Sequence, residues 1–204
     1  MLRITRVSQK TASALSGGLV VMISILVMAG WHFDIAILKT LVPGYAAMKF
    51  NTAVALFLFG TCQITLGIFK HGKGKRVSFG LLFFAMAVGI LTLLQYVFNI
   101  NLGIDELFYL DYEGVENAYP QGRLAPVTAV CFILLGFSVF FAFFKSTPRY
   151  RLSQILLVVT ALIPFQALVG YALGIQTFFG LASHSRIAIH TAIGLILLSM
   201  GFLA

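Results

Sequence analysis

Three short segments gather the side chains of this chain that could do chemistry: Met48-Lys49-Phe50-Asn51-Thr52-Ala53, Leu124-Ala125-Pro126-Val127-Thr128-Ala129 and Ile187-Ala188-Ile189-His190-Thr191-Ala192. Asn51, Thr52, Thr128, His190 and Thr191 offer amide, hydroxyl and imidazole groups. That chemistry suits holding a small ligand by hydrogen bonds rather than breaking bonds. The same residues have a purely structural use, because a Thr can cap a helix start and the Ala after it permits close helix packing. Gln95, and Gln166 two positions after Pro164, extend the candidate ligand-binding set. Pro164 removes a backbone hydrogen bond and predicts a kink that would open space for a ligand or form a hinge.

Histidine brings metal, haem and pH sensing into view. His71 lies in a basic loop, which leaves His32, His184 and His190 as the set that could form a metal site. A membrane cytochrome b would place His pairs deep within facing helices, and no His falls at mid-depth here. No cofactor is therefore assigned; haem would need those histidines, and a quinone would need only an apolar, aromatic pocket with a few polar groups. Cys62 and Cys131 lack a CxxC partner and read as packing residues. The chain contains no P-loop, HExxH, GxSxG or paired intramembrane carboxylates, so catalysis by this region is not expected.

The elements that must position these residues are membrane helices. Of the 204 residues 60% are hydrophobic and only 10% charged, well beyond what fills a soluble core. Six apolar stretches, near 12–31, 52–69, 78–98, 127–144, 153–173 and 188–204, read as long enough to cross a bilayer core, which takes roughly 20 helical residues. The first also follows a basic start, as in a signal peptide, but its length and its place in the repeat favour a permanent helix. Thr52 and Thr128 are 76 residues apart, and Thr128 and Thr191 are 63 apart, the difference falling in the loops. Trp31, Tyr96 and Tyr171 close the helix before each motif, while Gly60, Gly136 and Ser199 follow each Thr by eight positions. The fold expected is thus an all-α membrane protein of six spans in three repeated hairpins, about 12–69, 78–144 and 153–204. Gln63 and Thr65, polar within the second stretch, should bond between helices.

The net charge of +8 is a matter of topology, not of nucleic acid. Arg3, Arg6, Lys10, Lys70, Lys73, Lys75, Arg76, Lys145, Arg149 and Arg151 fall on one side, ten of the 14 basic residues. Lys39, Lys49, Arg123, Arg186 and all six acids fall on the other. The positive-inside rule makes the first side, with both termini, cytoplasmic. No Asp, Glu, Lys or Arg lies deep in an expected span, which argues against an ion pump or proton-coupled transporter. In the outer loop 32–51, Ile35, Ile37, Leu38 and Leu41 before Pro43-Gly44 predict a short interfacial helix. Ser199 to Ala204 end inside an apolar span with no basic anchor, so the last helix is expected to lead into a cytoplasmic domain.

Met48 to Ala53, Leu93-Leu94-Gln95-Tyr96-Val97-Phe98 with Asn101-Leu102-Gly103-Ile104-Asp105, Arg123 to Ala129 and His190-Thr191-Ala192 together resemble the six-helix, MASE-like membrane sensor regions of bacterial signalling proteins. Such regions precede PAS, histidine kinase or diguanylate cyclase modules. The resemblance covers nearly the whole chain and implies a sensory input domain of the bacterial cytoplasmic membrane. Its partners would be the bilayer, a cytoplasmic output domain in the same chain and a second copy in a homodimer. Two other readings stand beside it, a small transporter or channel and a haem- or quinone-binding redox protein.

Overall fold

The computed structural model of the chain describes residues 2–69, 72–110, 122–144, 147–175 and 186–204. Among these residues there are seven helices and no strand: α1 (Leu2–His32), α2 (Ala36–Lys39), α3 (Phe50–Ile68), α4 (Lys73–Phe98), α5 (Pro126–Ala142), α6 (Thr147–Leu173) and α7 (Ile189–Leu203). Four stretches are long and apolar enough to cross a bilayer, Thr11–His32, Phe50–Ile68, Lys73–Phe98 and Thr147–Leu173, while α5 and α7 are shorter apolar helices. Helices α1, α4 and α6 begin well before their apolar stretches, because the basic residues that precede each span are good helix formers and simply continue it. The four-residue α2 occupies the expected place of the interfacial helix, with Ile35 and Ile37 exposed beside it.

The helices close into a ring. Contacts run α1 to α3, α3 to α4, α4 to α5, α5 to α6, α6 to α7 and α7 back to α1, and α7 also touches α3 and α5. Helices α3, α5 and α7, which carry the Thr-Ala motifs, are the inner members of three hairpins, α1/α3, α4/α5 and α6/α7. Their facing residues Leu56, Phe59, Phe132, Leu135, Leu195 and Leu198 are fully buried, and the Phe59 and Phe132 rings meet at 5.6 Å. Apolar side chains therefore fill the centre between the inner helices.

The exterior is as apolar as the interior. Leu15, Met22, Ile25, Phe83, Phe84, Ile155, Leu162 and Phe165 point outward from α1, α4 and α6. Hydroxyl residues point inward and bond their own helix, as Ser24 does to the Val20 carbonyl at 2.8 Å, Thr160 to Leu156 at 2.7 Å and Ser199 to Leu195 at 2.8 Å. A lipid solvent favours this distribution, since apolar surface is no liability there and polar groups must be satisfied within the protein. Helix α6 continues unbroken through the buried Pro164, so the kink expected there does not interrupt it. Close approach is built in where α1 crosses α3: a Cβ on Gly60 would stand 2.9 Å from the Gly17 carbonyl oxygen.

Candidate functional site

Each hairpin is closed at the same end by one repeated hydrogen bond. Trp31 Nε1 donates to the Met48 carbonyl at 2.9 Å, Tyr96 Oη to Leu124 at 3.2 Å and Tyr171 Oη to Ile187 at 2.6 Å. Every acceptor lies four residues before the motif threonine, in the extended segment leading into the inner helix. These carbonyls have no place in a helical ladder, and the aromatic donor satisfies each beside a ring that suits the membrane interface. An indole N–H and two phenolic O–H groups thus do one job, which explains why the aromatics recur while their identities differ.

Within this clamped end Thr52, Thr128 and Thr191 are buried on the inner helices. The residues just before them differ, and so do their surroundings. Val127 packs against Ala167, Tyr171, Ile187 and Ala192, across the seam from α5 to the third hairpin. His190 faces the seam to the first hairpin, with Nε2 3.3 Å from the Leu38 carbonyl. Asn51 is buried on α3 and Thr92 on α4. Val127 and His190 thus face different seams around the packed inner helices.

Four buried polar atoms at this end have no hydrogen-bond partner: Asn51 Nδ2 and Oδ1, His190 Nδ1 and Thr92 Oγ1. An orphaned buried donor or acceptor costs about 1–3 kcal/mol unless something uses it. Segment 33–49 forms a roof over His190, held at the Leu38 carbonyl. Lys39, itself buried, donates to Asp34 Oδ1 at 2.8 Å and lies 5.1 Å over the Trp31 ring, and its carbonyl accepts from Met48 N at 2.9 Å. Tyr45 stacks on Tyr171 at 4.8 Å, tying the roof to α6 as Leu38 ties it to α7.

The other candidates have different positions. Gln95 is a structural node: Nε2 donates to Asp105 Oδ1 at 3.1 Å, and Oε1 accepts from Leu102 N at 2.8 Å and Arg123 Nη2 at 3.3 Å. Arg123 Nε donates to Asp105 Oδ2 at 2.7 Å, with both side chains buried, and its guanidinium lies 5.2 Å over the Tyr96 ring. Gly122 makes this approach possible, having φ of +73° and leaving only 2.6 Å between a would-be Cβ and the Asp105 carbonyl oxygen. Sequence reasoning placed Asp105 and Arg123 among the outer-side charges and in the motif strings but did not pair them. Gln166 is exposed on α6. His32 is exposed and meets Tyr109 Oη at 2.9 Å, His190 is buried under Leu38, and His184 lies outside the described residues. Among the described residues, no three or more His, Cys, Asp or Glu side chains stand together as a metal site.

No family model, curated protein or solved structure matches this chain. The buried amide of Asn51 and imidazole of His190, with donors and acceptors to spare, can each hold a small polar molecule or ordered water.

Proposed function

We propose that the chain is the six-span sensory input region of a bacterial signalling protein, with both termini cytoplasmic. The carrying observation is His190: buried, held to the roof at Leu38, with Nδ1 unpartnered, on a helix that runs to the opposite end of the bundle. A stimulus that satisfies His190 or Asn51 would favour one arrangement of roof and α7, and binding the two arrangements with different affinity is what lets it act as a signal. At 1.5 Å per residue, α5 reaches about 25 Å, short of a bilayer core of about 30 Å by an amount that local thinning accommodates. The asymmetric basic residues support the cytoplasmic assignment. A cytoplasmic output domain of kinase or cyclase type and a homodimer complete the proposal.

The filled axis and the absence of charged residues within the expected spans favour a relay over a transporter or channel. The decisive experiment fuses the chain to a signalling output and compares His190→Ala and Asn51→Ala with the parent at equal membrane abundance. Altered output from either variant supports the proposal, and unchanged output from both rejects it. Substrate flux in proteoliposomes would point instead to transport, and a Soret band after haem-replete expression to a haem protein.

A further inference from the structure

The three seams between hairpins can be followed to the basic end, where two are sealed and one is not. Ten positions after the motif threonines stand Cys62, Ser138 and Gly201, and each faces the first helix of the next hairpin. Cys62 Sγ donates to the Ser78 carbonyl at 3.3 Å, and Thr65 Oγ1 meets Ser78 Oγ at 2.7 Å, closing the first seam. At Gly201 the Gln63 amide and the Ser16 hydroxyl occupy the space a Cβ would need, and Gln63 Nε2 donates to Ser16 Oγ at 2.7 Å and to the Ser13 carbonyl at 2.8 Å. The third seam is open. Ser138 and Ser153 stand 3.4 Å apart, long for an O–H···O bond, beside a cavity of about 270 Å³.

Leu66, Phe69, Val139, Phe143, Leu157 and Phe202 make most of this cavity's wall apolar. Its polar lining is Ser138, Ser153 and the half-buried Lys75, whose Nζ lies 4.8 Å over the Phe143 ring and 5.9 Å over Phe79. No ion pair among the described residues involves Lys75, since Asp34 pairs with Lys39 and Asp105 with Arg123 at the clamped end. Lys73, Arg76, Arg149 and Arg151 add positive charge around this end. A cation set over aromatic faces, two under-used hydroxyls and an otherwise greasy wall complement one ligand class. We infer that this cavity binds an anionic amphiphile, the carboxylate or phosphate head on Lys75 and the serines and the hydrocarbon against the apolar wall. A free fatty acid and an acidic phospholipid share that chemistry.

The test uses the purified full chain in neutral detergent with three photoreactive probes, a diazirine palmitate, a diazirine phosphatidylglycerol and a diazirine phosphatidylcholine, followed by peptide mapping. At least one anionic probe should label peptides lining the cavity, and whichever does so identifies the source. Lys75→Gln should cut that labelling about tenfold, the scale of one charge-assisted contact. Ala142→Trp, which blocks the cavity at an exposed lining position, should do the same while leaving the melting temperature unchanged. Equal labelling by phosphatidylcholine, labelling spread evenly over the outer faces of α1, α4 and α6, or no loss in either variant would overturn the inference.

Discussion

Tyr171 donates its phenolic O–H to the Ile187 carbonyl at 2.6 Å, joining the end of α6 to the extended residues that start α7. Tyr96 makes the equivalent bond to Leu124 at 3.2 Å. The shorter bond should carry more stability, so Tyr171→Phe is expected to cost about 1–3 kcal/mol by leaving a buried carbonyl unmatched, and Tyr96→Phe less. Thermal unfolding in detergent, read for both variants side by side, checks the order; equal and negligible losses would show that the repeated bond does not hold the hairpins.

Asn51 offers the opposite case. Its amide is buried and unpartnered, and the second copy of the repeat carries Val127 at this position. Asn51→Val should therefore raise stability, by about 1 kcal/mol or more, while abolishing the response to stimulus. Unfolding curves and output of the fused protein would be measured on the same preparation. A destabilised Asn51→Val protein would mean that the amide has a structural partner.

The Arg123–Asp105 pair should behave as a buried ion pair. Asp105→Asn or Arg123→Met alone leaves a charge without its counterpart and should cost about 3–5 kcal/mol, whereas the double substitution should recover much of that. A double-mutant cycle by chemical or thermal unfolding gives the coupling. Additive losses would indicate that Gln95 and the Ile100 carbonyl, not Asp105, hold Arg123.

Where α1 crosses α3, size alone decides. Gly60→Ala drives a methyl group toward the Gly17 carbonyl and should cost about 1–3 kcal/mol. Gly67→Ala on the same helix meets nothing within 4 Å and should be neutral or slightly stabilising. Similar melting temperatures for the two variants would show that the helices can separate without penalty.

Much of this arrangement was legible in the residues. Trp31, Tyr96 and Tyr171 and the three Thr-Ala motifs mark hairpin starts and ends because apolar run length and motif position are local properties. The bonds between them were not legible, since each aromatic reaches a carbonyl 16 to 28 positions away. Gln95 and Gln166 show the same limit from two sides. Both are polar residues in apolar helices, yet Gln95 is absorbed by Asp105 and Arg123, whose approach depends on the turn at Gly122, and Gln166 falls on the outer face by helical phase. The separate seams of Val127 and His190 follow from ring closure, which no single repeat encodes.

The filled centre has a mechanical consequence. Phe59, Phe132, Leu56 and Leu195 are fully buried at mid-height, so sliding the inner helices past one another would disturb these contacts. The cheaper movement is for a hairpin to pivot about that plug, which works as a fulcrum. On the proposed relay, a small displacement under the roof would emerge reversed in direction at the basic end, where one seam is left unsealed.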